Sequence, residues 1–471
     1  MLAFSTVLSC CWMAACGDPQ SATTPNGAPT DSVRAPAVVK IDSLSSGKVL
    51  NPIACIGNTS ISYAAYIPHH PAGVNLPVIF LFDPHGDGSL PVLKYKALAD
   101  WYRFVLIGSN NSKNGNEWSM TENIWNTQLF DIKKRIPVDV TRMYTCGFSG
   151  GAKVAAYIAL NHPEVKAVIV GGAGLPDGTV PGNFRFTITE IAGKGDMNMT
   201  DLVALHALLK ETSTKDRIIF FDGKHEWAPP AAMDIAFASL QLDAMRDGII
   251  PREENFINLI ASRGKKGIQG RLAHKDYIDA ADECELMLGL LTRISKDTAW
   301  FLRTALSLKH DKEYQAQTAA QQHLLETEST MKALLGQKFE SGDRTYWINA
   351  IQTLQAKASA QTDEGAMYQR LVAYLSLAFY TYSNHMINAH RDDDAARFVE
   401  LYKLDDPTNA EAWYFSAILN ARKNSTKAAN DDLLNAIEKG FVDKERLKKQ
   451  TEFQNSGIDI ASLESRMKTQ K

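Results

Sequence analysis

Residues 42–248 alternate short apolar, β-prone runs with stretches compatible with helices, and this alternation constrains the fold more than any other feature. Strands separated by helical connections pair in parallel, and a parallel sheet needs helices on both faces. We therefore expect a mostly parallel sheet covered on both faces, with an antiparallel strand over 61–67 at its start. The other predicted strands are 78–82, 104–107, 143–146, 165–170, 184–191 and 217–221, and the predicted helices are 91–102, 121–135, 150–162 and 198–211.

The residue composition changes after Pro251, since 17 of the 18 prolines fall at or before it and only Pro407 follows. Long helix-compatible stretches then predict an all-α domain over 255–471. Two of its segments match at a spacing of 34 residues and resemble tetratricopeptide repeats. The resemblance implies stacked helical hairpins whose concave face binds a protein partner. The matched positions are Phe379, Ser383, Ala395, Val399 and Tyr402 in the earlier segment, and Trp413, Ala417, Ala429, Leu433 and Ala436 in the later one.

A G-x-S-x-G pattern, Gly147-Phe148-Ser149-Gly150-Gly151, stands between a predicted strand and a predicted helix. Small residues beside a serine at such a junction allow a tight turn that leaves the hydroxyl exposed above the sheet. The pattern predicts a nucleophile elbow with Ser149 as the nucleophile. A plain glycine-rich turn is the alternative.

A serine nucleophile needs a base and an acid that orients the base, and in this arrangement they follow in the order Ser, Asp or Glu, His. His225 lies just after the last predicted strand, in Asp222-Gly223-Lys224-His225-Glu226-Trp227. Asp196, in Gly193-Lys194-Gly195-Asp196, follows the preceding strand and is the predicted acid. Asp177 and Asp222 are its competitors.

Acyl transfer also needs donors for the developing oxyanion. The loop Asp83-Pro84-His85-Gly86-Asp87-Gly88 follows the predicted strand 78–82 and predicts backbone donors at Gly86 and Asp87, with Gly150 as a further donor. A surface turn is the alternative for this loop. Trp118 and Trp227 are weaker candidates for a substrate cleft.

These motifs resemble the α/β-hydrolase superfamily, nearest to its polyhydroxybutyrate-depolymerase-like, feruloyl-esterase-like and dienelactone-hydrolase-like members. The loop 83–88 resembles the H-G-x-G loop of esterases, and Gly223-Lys224-His225-Glu226-Trp227 resembles the G-x-H-x-W context of their histidine. The resemblance covers 42–248 and implies a serine hydrolase of carboxylic esters that needs no cofactor and no metal. The short spacing before 184 leaves no room for a lid domain, which favours bulky or polymer-attached esters.

The first sixteen residues carry no charged side chain and end in Met13-Ala14-Ala15-Cys16, which resembles a bacterial lipobox. Residues 1–16 therefore predict a signal segment with lipidation at Cys16, and the Pro-, Ser- and Thr-rich segment 17–41 predicts a flexible tether. We expect an exported, membrane-anchored lipoprotein. The segment before Cys16 lacks the Lys or Arg of such signals, which points to a true start upstream. A cytosolic protein with an apolar N-terminus is the alternative.

A formal net charge of −3 offers no basic excess to neutralise phosphates, which argues against a nucleic-acid-binding protein. The six cysteines show neither a disulfide framework nor the paired spacing of a zinc site. Two other functions stay open at this point. One is a serine peptidase on the same fold, and the other is an inert cell-surface protein that binds a partner through its helical repeats.

Overall fold

The computed structural model describes residues 44–467, so Cys16, the segment 1–16 and the tether 17–41 lie outside the described residues. Within this range eight strands form one sheet in the order β1-β2-β4-β3-β5-β6-β7-β8. The strands β1 and β2 are antiparallel to each other, β2 is antiparallel to β4, and all other neighbours are parallel. The strands are β1 Val49–Cys55, β2 Asn58–Tyr66, β3 Leu76–Phe82, β4 Val105–Ser109, β5 Val138–Phe148, β6 Val165–Gly171, β7 Thr187–Gly193 and β8 Asp216–Phe221.

Five helices cover the two faces of this sheet. Alternate residues of a strand point to opposite faces, so one strand contributes side chains to two apolar cores. Ile79 and Leu81 of β3 lie in one apolar core with the first and fifth helices, whereas Val78 and Phe80 lie in another with the second, third and fourth. Every residue of β3 is buried, as expected for a central parallel strand. The helices are α1 Ser89–Tyr102, α2 Trp118–Arg135, α3 Gly150–Asn161, α4 Met199–Leu209 and α5 Pro230–Arg246.

Twelve helices follow in the described part of the chain. Side chains accept backbone N–H groups at the starts of six of them, which satisfies donors that have no partner within the helix. The capping residues are Asp311, Asp343, Thr362, Asn409, Asp443 and Asp459. The helices are α6 Glu254–His274, α7 Tyr277–Leu291, α8 Thr298–Lys309, α9 Lys312–Ser341, α10 Arg344–Ala358, α11 Asp363–Asn388, α12 Asp392–Asp405, α13 Ala410–Arg422, α14 Thr426–Glu438, α15 Lys444–Lys449, α16 Thr451–Gln454 and α17 Ile460–Arg466.

The predicted α/β class is confirmed: a mostly parallel sheet with helices on both faces is followed by an all-α region. The 34-residue match falls on the helix pairs α11–α12 and α13–α14, and Ala395, Ala417 and Ala429 are fully buried there. Their assignment as tetratricopeptide repeats stays a prediction. None of the helices within 44–467 combines the length and the apolar character that crossing a membrane requires.

Strand β1 did not emerge from the sequence pattern. Its run Val49-Leu50-Asn51-Pro52 interrupts the apolar alternation, and five of its seven residues are exposed or half-buried. A proline is tolerated in a strand at the edge of a sheet, where its missing N–H breaks no ladder, and β1 is such an edge strand.

Candidate active site

Ser149 sits at the junction of β5 and α3 in a backbone conformation that side chains rarely adopt, with φ 53° and ψ −125°. Its backbone N–H donates to the carbonyl of Gly171 at the end of β6, at 2.8 Å. The turn also has no room for a side chain at position 151, because a Cβ on Gly151 would stand 1.9 Å from the carbonyl oxygen of Phe82. The half-buried serine is thus held at the carboxyl edge of the sheet by a strained turn, the geometry of a nucleophile elbow.

Three side chains that the sequence singled out form one connected chain. The Ser149 hydroxyl lies 3.0 Å from Nε2 of His225, and Nδ1 of His225 lies 3.0 Å from Oδ1 of Asp196. Asp196 is 1 % exposed, and its Oδ1 also accepts the backbone N–H of Asn198 at 2.8 Å. The buried carboxylate therefore favours the imidazole tautomer with its proton on Nδ1, which leaves Nε2 free to accept the serine proton.

The two competing carboxylates lie elsewhere. The side chain of Asp177 is 90 % exposed and pairs with Lys153 at 2.6 Å, and that of Asp222 is 93 % exposed and lies 3.8 Å from Lys194. Neither makes a hydrogen bond or an ion pair with the imidazole, although both follow parallel strands at the carboxyl edge of the sheet. Asp196 follows β7 and His225 follows β8 at that edge.

The predicted oxyanion loop, 83–88, follows β3 at the same edge. The backbone N–H of Gly86 donates to the carbonyl of Asp83 at 3.1 Å, so this predicted donor is already engaged within the loop. The carboxylate of Asp87 accepts the backbone N–H groups of Ser89 and Leu90 at the start of α1. Within the described residues the N–H groups of Asp87 and Gly150 make no hydrogen bond, which leaves these two of the three predicted donors available.

Asn114 joins this site and was not singled out from the sequence. Its side-chain oxygen would lie 1.8 Å from a Cβ on Gly150, so the amide rests directly against the elbow. Its backbone N–H donates to the carbonyl of Pro84 at 2.8 Å, which ties the loop after β4 to the oxyanion loop. The polar composition of 108–115 was the only signal in the sequence.

The two tryptophans have different surroundings. Trp118 is 40 % exposed and stacks on Tyr157, with ring centroids 4.3 Å apart. Trp227 is instead buried, and its indole N–H donates to Oδ2 of Asp83 at 2.8 Å. Trp227 thus holds the loop after β3 through this hydrogen bond, and its assignment to a substrate cleft stays a prediction.

The hydrogen bond between Trp227 and Asp83 leads to a prediction about the stability of the fold. Burial alone raises the pKa of Asp83, but hydrogen bonds from His85 and Trp227 outweigh it, so the pKa lies below its ordinary value. A depressed pKa adds stability above the unfolded-state value, about 4, and that stability is lost as the pH falls through the folded-state value. Trp227→Phe is expected to lower the free energy of unfolding by about 1–3 kcal/mol at neutral pH, and by less at about pH 3.

Urea denaturation at both pH values checks this expectation. Trp118→Phe is the matched control, because that indole is exposed and stacked on Tyr157. An equal decrease in the free energy of unfolding for the two variants at neutral pH would contradict the role of the indole N–H in holding Asp83.

Residues of the helical region border His225. A cavity of 620 Å³ is lined on one side by Lys224 and His225 and on the other by residues of α10, α11 and α12. The helical side is rich in amide and hydroxyl groups, which suits a substrate with polar substituents. Its polar lining comprises Gln355, Ser359, Gln369, Ser376, Tyr380, Tyr402, Asp405, Asp406 and Asn409.

A separate cluster carries groups that ligate metals in other proteins. One ligand atom each of Glu190, His206 and Asp216 lies within 4.8 Å of the others, between the sheet and α4. Nδ1 of His206 is 2.5 Å from Oδ2 of Asp216, closer than the separation of about 3 Å between two ligands of one ion. Burial, and then Asp216, raise the pKa of Glu190 well above its ordinary value. The cluster is therefore a close pair of His206 and Asp216 beside a buried carboxyl group whose pKa is raised.

No protein-family model matches this chain, and no curated protein matches it either. Several solved structures are similar to part of it. An esterase of the archaeon Pyrobaculum calidifontis is 13% identical with a TM-score of 0.36, and the match covers 42% of this chain and 87% of the esterase. The fluorophosphonate-binding serine hydrolase F of Staphylococcus aureus is 12% identical with a TM-score of 0.34, covering 42% of this chain and 99% of that one. A ferulic acid esterase is 14% identical with a TM-score of 0.32, covering 40% and 94%.

Proposed function

We propose that this chain is a serine hydrolase that cleaves carboxylic esters through an acyl-enzyme intermediate. The observation that carries the proposal is the connected chain from Asp196 through His225 to Ser149, with the serine on a strained turn. A serine hydroxyl is barely ionised at neutral pH and needs a base that takes its proton during attack. His225, at 3.0 Å, is placed to do this.

The proposed reaction begins when Oγ of Ser149 attacks the ester carbonyl carbon and its proton passes to Nε2 of His225. The N–H groups of Gly150 and Asp87 hold the oxyanion, and Asp196 stabilises the imidazolium. The carbon–oxygen bond to the alcohol then breaks, and the alcohol leaves with the proton from Nε2. Water then attacks the acyl carbon and gives a proton to Nε2 of His225. The bond between that carbon and Oγ of Ser149 breaks, Oγ takes the proton from Nε2, and the carboxylic acid leaves.

Two measurements on the full chain test the proposal together. A fluorophosphonate probe is expected to label the protein on Ser149, located by mass spectrometry of the peptides. Short-chain p-nitrophenyl esters are expected to be hydrolysed, and pre-labelling is expected to abolish that hydrolysis. Labelling of another residue, or turnover that survives complete labelling of Ser149, would contradict the proposed nucleophile. Export and lipid anchoring through Cys16 belong to the same proposal and rest on the sequence pattern of 1–41 alone.

A further inference from the structure

The loop that carries Asp196 is held by hydrogen bonds on two sides. On the sheet side, the backbone N–H groups of Lys194 and Gly195 donate to the carbonyls of Phe221 and Gly223, at 2.9 and 2.8 Å. These bonds tie the loop to the segment that leads to His225. The other side of the loop faces helices of the all-α region, and the contacts there come from residues far away in the sequence.

Arg370 of α11 makes the central contact on the helical side. Its Nη1 donates to the backbone carbonyl of Lys194 at 2.5 Å, across 176 residues of sequence. Its Nε and Nη2 donate to one oxygen of Glu328 on α9, at 2.8 and 2.6 Å. Arg370 is 5 % exposed and Glu328 is 1 % exposed, so the pair is fixed in the interior and aims one guanidinium nitrogen at the loop.

Two neighbours extend this contact along the loop. Lys332 pairs with the other oxygen of Glu328 at 2.8 Å, and its Nζ donates to the carbonyl of Met197 at 3.4 Å. Gln369 lies against Gly195, where an added Cβ would stand 2.6 Å from its side-chain oxygen. The helical region thus contacts the residues immediately before and after Asp196.

We propose that Arg370 is a positioning residue for the catalytic acid. The inference rests on the proposed function, because it assigns Arg370 the task of keeping Asp196 within hydrogen-bonding distance of His225. A backbone carbonyl held by a buried ion pair has little freedom to move, and a displacement of about 1 Å in a catalytic group can cost about 100-fold in rate. The helical region is then part of the active site, in addition to any partner that it binds.

The test compares Arg370→Lys with Arg422→Lys in the full chain. Arg422 is the matched control, because it is also largely buried, pairs with Asp392 and Glu452, and donates to the carbonyl of Ile387. It does not contact the Asp196 loop. We expect Arg370→Lys to lower kcat for a p-nitrophenyl ester by about 10- to 100-fold with little change in KM, since Arg370 does not line the cavity beside His225. Arg422→Lys is expected to leave both constants within about twofold of wild type.

A double-mutant cycle separates positioning from a general loss of structure. In the Asp196→Asn background, Arg370→Lys is expected to change kcat by less than about threefold, because the group that it positions is already lost. Additive effects would overturn the proposal, as would wild-type kcat in a folded Arg370→Lys variant. If Arg370→Lys does not fold, Lys332→Met decides in its place, since it removes the contact to Met197 and leaves the buried pair intact. Wild-type kcat in a folded Lys332→Met variant would then overturn the inference.

Hydrogen exchange makes the test independent of the proposed function. The amides of residues 193–198 are expected to lose protection in Arg370→Lys and to keep it in Arg422→Lys. If the wild-type protein hydrolyses no ester, the proposed function fails, and the exchange comparison still decides whether Arg370 holds the loop. Unchanged protection in Arg370→Lys would overturn the inference whatever the activity.

Discussion

Ser149→Ala is expected to lower kcat for a carboxylic ester by about 10⁶-fold. Without the hydroxyl no acyl-enzyme forms, and only binding and the oxyanion donors still assist the attack of water. Steady-state hydrolysis of p-nitrophenyl acetate by the purified variant measures the loss, with circular dichroism to show that the fold is intact.

Ser239→Ala is the matched control for this variant. Ser239 lies within α5, where its buried hydroxyl donates to the carbonyl of Ala236 at 2.7 Å, away from the elbow. We expect it to keep kcat within about twofold of wild type. Activity of Ser149→Ala within tenfold of wild type would rule out Ser149 as the nucleophile.

Asp196→Asn is expected to lower kcat by about 10⁴-fold. An asparagine keeps the shape of the side chain but presents no charge to the imidazolium and no longer fixes the proton on Nδ1 of His225. The surroundings preserve the geometry, because Asn198 donates its backbone N–H to the same oxygen. The decrease in kcat therefore reports the lost charge and not a change in geometry. Steady-state kinetics near neutral pH measure it directly.

The chain offers two matched controls for this substitution. Asp177→Asn and Asp222→Asn remove the same charge from side chains that are almost fully exposed and do not contact the imidazole. Each is expected to change kcat by less than about twofold. A larger loss for Asp222→Asn than for Asp196→Asn would contradict the acid that we assign.

The elements around the proposed nucleophile could be predicted because their signals are local. A serine between glycines at a strand–helix junction has few alternatives, and the order of strands along the chain places Asp196 and His225 at the same edge of the sheet. The sequence predicted β7 over 184–191, and the structure places it at Thr187–Gly193. Such a shift at a strand end changes no neighbour of Asp196.

The surroundings of the site could not be predicted, because their signals are not local. Nothing in the residues near Arg370 marks the carbonyl of Lys194 as its partner, and the composition of α10 to α12 does not show that they face His225. Trp227 illustrates the same limit, since its partner Asp83 lies 144 residues away. A pattern of residue types identifies a strand or a turn, but not which distant surface covers it.

The 176 residues between Lys194 and Arg370 also have a consequence for biosynthesis. All eight strands and Ser149, Asp196 and His225 leave the ribosome well before α11 is synthesised, and domains form in the order in which they emerge. A nascent chain that ends before Arg370 contains every reacting group but not the contact that holds the acid. From the proposed roles of Ser149 and Arg370, ester hydrolysis is expected to begin only after α9 and α11 have docked, and not during synthesis of the chain.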